Sequence, residues 1–237
     1  MILSRRSFIV GGAALAALPC RLEAQTAEDG FVVLTARATE GRLMEADRPA
    51  TRLESLSGQW PPPVLRARQG EEFKVRFINA LDRPMALHWY GVRGPAEMMS
   101  VSVVPGEDNA FDCVFTPPDA GTFWLSPVAD VSRQREMGLY ALLEVAEKEA
   151  LPAFSDLPLT FDDWRLTDDG QIDTATFGNL DDAIGQGRLG NWFTVNGAYR
   201  PKIDIPQGLV RLRIVNAANI RTMSILVKGA DPLIIAE

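Results

Sequence analysis

The sequence predicts an all-β protein made of two β-sandwich or barrel domains in tandem, the second of them cut short. Three observations carry this prediction: short runs rich in Val, Ile, Phe, Trp and Thr, the Pro and Gly residues that separate these runs, and an internal repeat. From residue 31 onward the chain shows no sustained apolar period of 3.6 residues. Long amphipathic helices are therefore not expected.

The first 24 residues have the pattern of a bacterial twin-arginine export signal. Arg5 and Arg6 precede an apolar stretch from Phe8 to Leu18. That stretch is too short to cross a bilayer, because a transmembrane helix needs about 20 residues. We therefore expect export to the periplasm by the twin-arginine route, with no stable membrane span once residues 1–24 are removed.

Short strands are predicted throughout residues 27–147, which we assign to the first domain. In one of them Phe111, Cys113 and Phe115 alternate along the chain and so share one face of the strand. Cys113 is interpreted as a small core residue rather than a ligand or a nucleophile. The predicted strands are Phe31–Ala38, Glu72–Asn79, Met85–Tyr90, Ala110–Phe115, Gly121–Leu125 and Leu139–Val145.

A repeat at an offset of 137–138 residues indicates a second copy of the same domain, predicted over residues 157–237 after a polar, proline-containing connector. The matched segments are Phe73–Ala80 with Val210–Ala217, Pro63–Gly70 with Pro201–Gly208, and Met85–Gly91 with Met223–Gly229. The end of the sequence, Pro232–Glu237, is predicted to be an apolar strand. A sandwich that lacks its later strands exposes its inner face, so we consider a fragment, a truncated gene or a covering partner.

Composition excludes several classes of function. The net charge is −7 without a basic run beyond the signal, so nucleic acid is not an expected partner. One histidine, His88, and two cysteines rule out a zinc cluster or a disulfide framework. No nucleophile–base pair can be drawn, and no catalytic residue is predicted. Met44 and Met98–Met99 are interpreted as packing residues, and Asp162–Asp163, Asp168–Asp169 and Asp181–Asp182 as solvated turns rather than calcium ligands.

Several motifs resemble the first domain of bacterial multicopper oxidases. They are Leu87–Gly91, Phe115–Val128 and Gly138–Tyr140, and the Val195–Gly197 turn resembles the second domain of that family. The resemblance implies tandem cupredoxin-like Greek-key β-sandwich domains. It also implies a third domain, with a mononuclear copper site, beyond residue 237.

The same resemblance implies a trinuclear copper cluster held by His-X-His pairs, but this chain does not supply them. The two first-domain pairs correspond to His88 and Tyr90, and to Ser126 and Val128. Imidazole suits copper, whereas neutral hydroxyls are poor substitutes and valine has no donor atom. His88 is thus the sole candidate metal ligand. It is either a remnant that binds one copper ion or a hydrogen-bonded strand histidine, and we favour the second interpretation.

We therefore expect an exported relative of multicopper oxidases that has no cofactor and acts by binding or scaffolding a periplasmic protein partner. We do not expect the chain by itself to be an active enzyme. One alternative is a fragment of a copper-dependent oxidoreductase whose copper-binding domain lies beyond residue 237. Another is a decayed gene product. The identity of a partner or substrate and the oligomeric state are not predicted.

Overall fold

The computed structural model describes residues 27–149, 154–205, 207–229 and 232–235, so the predicted export signal lies outside the described residues. The described chain consists mainly of β-strands, as predicted, with a few short helices. The strands are β1 Val32–Gly41, β2 Thr51–Ser55, β3 Val64–Arg68, β4 Phe73–Asn79, β5 Met85–Tyr90, β6 Ser100–Val103, β7 Gly106–Phe115, β8 Gly121–Pro127, β9 Ala141–Ala146, β10 Phe154–Trp164, β11 Trp192–Val195 and β12 Leu209–Asn216. The α-helices are α1 Ala96–Met99, α2 Val131–Glu136 and α3 Leu180–Ile184.

Strands β1 to β9 form a two-sheet sandwich. One sheet has the strand order β2-β1-β4-β7 and the other has the order β3-β9-β8-β5-β6. The pairs β1–β4 and β3–β9 are parallel, and the other neighbours are antiparallel. This arrangement confirms the predicted cupredoxin-like sandwich.

The core of the sandwich lies between the two sheets and is rich in aromatic rings. Strands β4 and β5 bury alternate side chains, including Phe77 and Trp89. The ring of Trp89 lies 5.5 Å from that of Phe115, centroid to centroid. Cys113 is fully buried in the same cluster, and burial raises the pKa of its thiol to about 11. The interpretation of Cys113 as a core residue is confirmed.

The second copy contributes a three-stranded sheet with the order β11-β10-β12. Strand β12 runs parallel to β10, as β4 runs parallel to β1, so the matched segments share this strand pairing. The segments 201–205 and 223–229 form no strand, unlike β3 and β5, which they match in sequence. The predicted strand at the end is also wrong for residues 232–235. These segments have no neighbouring strand to accept and donate backbone hydrogen bonds within the described residues.

The two copies share a second apolar core, which we call the joint core. It combines Leu43 and Leu53 with Trp164, Leu166 and Ile172, all buried. Trp60 packs edge-on against Trp164 with 5.5 Å between ring centroids, and the Trp60 Nε1–H donates to the Gly197 carbonyl at 2.9 Å. The second sheet is therefore held against the sandwich by a continuous hydrophobic interior.

The opposite face of the second sheet is uncovered within the described residues. Leu212, Ile214 and Phe193 on this face are each 36–41% exposed. Along β12, Leu212 and Ile214 alternate with Arg211 and Arg213, which point toward the sandwich and pair with Asp156. The expectation of an exposed inner face agrees with this arrangement.

Candidate functional site

The candidate site lies on the outer face of the five-stranded sheet, where β5 and β8 run side by side. Alternation along β5 turns Leu87 and Trp89 into the core and leaves His88 and Tyr90 on the outer face. The antiparallel register places His88 opposite Ser126 and Tyr90 opposite Trp124. The structure thus brings together three of the four positions that the sequence singled out.

Val128, the fourth of those positions, follows the end of β8 and is 46% exposed. Its backbone N–H donates to the Ala86 carbonyl at 2.9 Å, so it continues the pairing of β5 and β8 for one more residue. Its side chain carries no donor atom. Val128 therefore adds an apolar edge to the site.

His88 is held by a neighbouring strand. Its Nδ1 lies 3.0 Å from Ser100 Oγ, and Ser100 is its partner in the β5–β6 register. Its ring meets Tyr90 edge to face at 5.1 Å. Among the residues that the structure describes, no group of three or more His, Cys, Asp or Glu side chains is placed to hold a metal ion. His88 thus has the surroundings of a hydrogen-bonded strand histidine.

An arginine that sequence reasoning missed enters the same face from α2. Arg135 Nε donates to Ser126 Oγ at 3.2 Å, and its guanidinium carbon lies 5.1 Å from the centre of the Trp124 ring. Trp124 in turn contacts Tyr90, with 5.7 Å between ring centroids. Arg135 is half-buried, and burial lowers the pKa of its guanidinium. We call Tyr90, Trp124, Ser126 and Arg135 the Arg135 platform.

A buried acid lies behind the Arg135 platform. The Tyr140 hydroxyl donates to Asp162 Oδ2 at 2.8 Å, and the Tyr140 ring lies 6.4 Å from that of Trp124. Burial is the main cause that raises the pKa of Asp162 well above its ordinary value. The pKa of Tyr140 is also raised, mainly by burial and next by the neighbouring Asp162. Burial therefore favours the neutral form of the Asp162 carboxyl.

The expectation that Asp162 and Asp163 form a solvated turn is wrong. Both lie in β10 and are buried; Asp162 Oδ2 accepts from the Tyr140 hydroxyl, and Asp162 Oδ1 accepts from the Asp163 N–H. Asp163 Oδ2 accepts from the Gly190 N–H and from Arg221 Nε, each at 2.7 Å. The pair at 168–169 does form a tight turn, since Gly170 N–H donates to the Thr167 carbonyl at 2.9 Å.

Helix α2 also joins the two copies through its last residue, Glu136. This carboxylate is buried and forms an ion pair with Arg188, which is equally buried. It also accepts from the Arg165 backbone N–H at 2.7 Å and from Asn219 Nδ2 at 3.3 Å. Burial raises the pKa of Glu136 in spite of these partners. The sequence had indicated none of these contacts, because α2 is too short to show a helical period.

The methionine candidates belong to packing. Met99 is buried in the sandwich core, and Met98 and Met44 are partly buried against the two cores. Met98 and Met99 lie on helix α1 rather than on a strand. Their interpretation as packing residues is confirmed.

Comparison with known proteins finds similarity to multicopper oxidases and to cell division proteins. Residues 37–150 match the family model described as multicopper oxidase. The chain is 29% identical to the cell division protein FtsP of Sodalis glossinidius (strain morsitans), over 93% of this chain and 51% of that protein. It is 24% identical to the multicopper oxidase mco of Staphylococcus aureus, over 87% of this chain and 47% of that protein.

Solved structures agree with these sequence matches. A crystal structure of a multi-copper oxidase from Pseudomonas thermotolerans superposes with a TM-score of 0.70 at 34% identity. The match covers 80% of this chain and 47% of that chain. The chain thus spans about half the length of the proteins that it resembles. Among the described residues, no helix combines the length and apolar character needed to cross a membrane.

Proposed function

The chain belongs to the multicopper oxidase family through residues 37–150, and from this premise we propose that it is an exported, non-catalytic member that binds or scaffolds a periplasmic protein partner. The twin-arginine pattern around Arg5 and Arg6 supports export to the periplasm. The similarity to proteins named cell division protein FtsP supports a role other than oxidation. Fold alone does not decide function, so the case depends on the site.

One observation carries the proposal: the residues at the four positions that correspond to copper ligands of the family do not fit copper. The four family positions hold His88, Tyr90, Ser126 and Val128, which offer one imidazole, two neutral hydroxyls and one side chain without a donor. The Arg135 guanidinium adds a positive charge beside Ser126, where it repels a metal cation. A four-electron reduction of oxygen through a three-copper cluster therefore has no support from these side chains.

Metal analysis and an oxidase assay test this proposal directly. The full chain is produced with excess copper in the medium, and its copper content is measured by mass spectrometry after gel filtration. We expect less than one copper per chain and no oxidation of a phenolic dye. Two or more coppers per chain, or dye oxidation above that of buffer with free copper, would contradict the proposal.

A rebuilt variant provides the matched comparison. Tyr90→His, Ser126→His and Val128→His, combined with Arg135→Gln, restore four imidazoles on the same strands and remove the nearby charge. We expect this variant to retain more copper than the unmodified chain. Equal copper content in a folded variant would show that the donor set is not what limits copper binding.

The half-length coverage of the relatives favours a second candidate function. In that case the chain is part of a copper-dependent oxidoreductase whose copper-binding domain lies outside these residues. The natural gene product distinguishes the two, because an in-frame continuation with a His-Cys-His run and further His-X-His pairs would favour the oxidoreductase. Even then, the cluster would lack the first-domain imidazoles missing at Tyr90, Ser126 and Val128.

A further inference from the structure

We propose that the Arg135 platform binds a carboxylate carried on an aromatic or otherwise flat apolar group. This inference rests on the proposed function, because it assigns a ligand to the face that lacks copper donors. Three observations support it: the charge balance around Arg135, the atoms that Arg135 leaves free for a ligand, and the two rings beside it.

No described acid forms an ion pair with Arg135, although the buried Asp162 attracts its charge from a longer distance. Arg135 is half-buried, yet it forms no ion pair within the described part of the chain. The adjacent Glu136 is paired with Arg188, and Asp162 is hydrogen-bonded to Tyr140 in a fully buried position. A partly desolvated cation without a counter-ion is unfavourable, and an anion from solution or from a partner would relieve this cost.

Two other arginines of the chain are each paired with carboxylates. The largely buried Arg211 contacts both Asp156 and Glu147. The fully buried Arg188 contacts Glu136. Arg135 differs from them because its nearest bonded group is the neutral hydroxyl of Ser126. Within the described residues, Arg135 is thus a half-buried guanidinium without an ion-pair partner, and an external carboxylate can supply that partner.

The geometry of Arg135 suits a carboxylate in particular. Its Nε–H is used on Ser126, and the two terminal nitrogens have no hydrogen-bond partner among the described residues. These nitrogens form a planar edge that can donate two parallel hydrogen bonds to one carboxylate. The guanidinium stays fixed for this purpose because Ser126 and the Trp124 ring hold it from two sides.

The rings of Trp124 and Tyr90 indicate what the carboxylate is attached to. Both side chains are only partly buried, and their rings lie 5.7 Å apart at an interplanar angle of 37°. His88 extends this aromatic surface beyond Tyr90. An aromatic acid can thus place its carboxylate on Arg135 and its ring against Trp124 or Tyr90.

Titration calorimetry on the full chain tests the proposal with benzoate as the probe. Benzyl alcohol serves as the neutral analogue and inorganic phosphate as the alternative anion. We expect saturable binding of benzoate and at least about tenfold weaker binding of benzyl alcohol, as the loss of a charge-assisted hydrogen bond implies. No saturable benzoate binding, or equal binding of benzyl alcohol, would overturn the proposal. Equal binding of phosphate would overturn the assignment of a carboxylate.

Two arginine variants on the same helix locate the site. Arg135→Met removes the charge from the Arg135 platform, and we expect it to weaken benzoate binding about tenfold or more. Arg133→Met removes the same charge from α2, but Arg133 packs over Phe177, 5.5 Å from its ring centre. We expect Arg133→Met to leave benzoate binding unchanged. Equal affinities for Arg135→Met and the parent chain would refute the site.

The copper content of the same samples separates this inference from the proposed function. Copper-free protein that does not bind benzoate would refute the carboxylate site and leave the proposed function standing. Copper-loaded protein would refute the proposed function, and a carboxylate site at that face would fall with it.

Discussion

Replacement of Arg188 by methionine is expected to lower the free energy of unfolding by about 3–5 kcal/mol, the usual effect of removing one partner of a buried ion pair. The side chains of Arg188 and Glu136 are only 3% and 2% exposed. Arg188 also donates to Thr176 Oγ1 at 2.6 Å and to the Asp173 carbonyl at 2.8 Å. The variant leaves the Glu136 carboxylate buried without its counter-charge.

Chemical denaturation followed by tryptophan fluorescence measures this loss, and a surface pair provides the control. Arg93 and Asp119 form a bidentate pair at 2.6 and 2.7 Å, but their side chains are 73% and 42% exposed. We expect Arg93→Met to leave the denaturation midpoint unchanged, because solvent screens an exposed pair. Equal shifts for Arg93→Met and Arg188→Met would refute the reasoning, since Arg188 is buried with its partners and Arg93 is exposed. Addition of Glu136→Gln to Arg188→Met is expected to restore part of the stability.

Three further predictions follow from buried or constrained residues. Burial raises the pKa of Asp162 above its ordinary 3.8, so the stability that its neutral form provides is lost as the pH rises above about 4. We expect Asp162→Asn to gain stability relative to the parent as the pH rises above about 4 in urea titrations, and a difference that stays constant with pH would contradict this. The Cys113 thiol, buried with a pKa of about 11, is expected to resist iodoacetamide in the native chain and to react in denaturant, as followed by mass spectrometry. Gly138→Ala is expected to lower the melting temperature in calorimetry, because φ is +105° and the new Cβ would lie 2.6 Å from the Glu54 carbonyl oxygen. Gly70→Ala, at φ +79° in open space, is expected to lower it less, and an equal effect would show that backbone strain alone decides.

The strands of the sandwich could be predicted from the sequence because their signal is local. The alternation in Met85–Tyr90 predicts both the bounds of β5 and which side chains turn outward. For β7 the prediction began at Ala110, whereas the strand begins at Gly106. The missing residues, Gly106–Asn109, are polar or small and carry no apolar alternation, so only pairing with β4 reveals them.

The candidate site was only partly predictable, for a different reason. The alternation in β5 predicts that His88 and Tyr90 share one face, but only the structure shows the β5–β8 register that places His88 opposite Ser126. Arg135 reaches that face from α2, and Asp162 is satisfied by Tyr140 from another part of the chain. Such side-chain partnerships depend on how separate elements pack, and a single sequence does not record them. An acidic pair at Asp162–Asp163 is therefore interpreted as a solvated turn until the packing of β10 is known.

Because of the joint core, the boundary between the two copies does not separate two independently stable units. Leu43 and Leu53 lie in the same hydrophobic interior as the buried Trp164. Unfolding of either copy therefore exposes apolar surface of the other to water. Heat or denaturant is thus expected to melt both copies together in one cooperative transition, as in a single folding unit. The two repeated copies are therefore expected to behave as one thermodynamic unit.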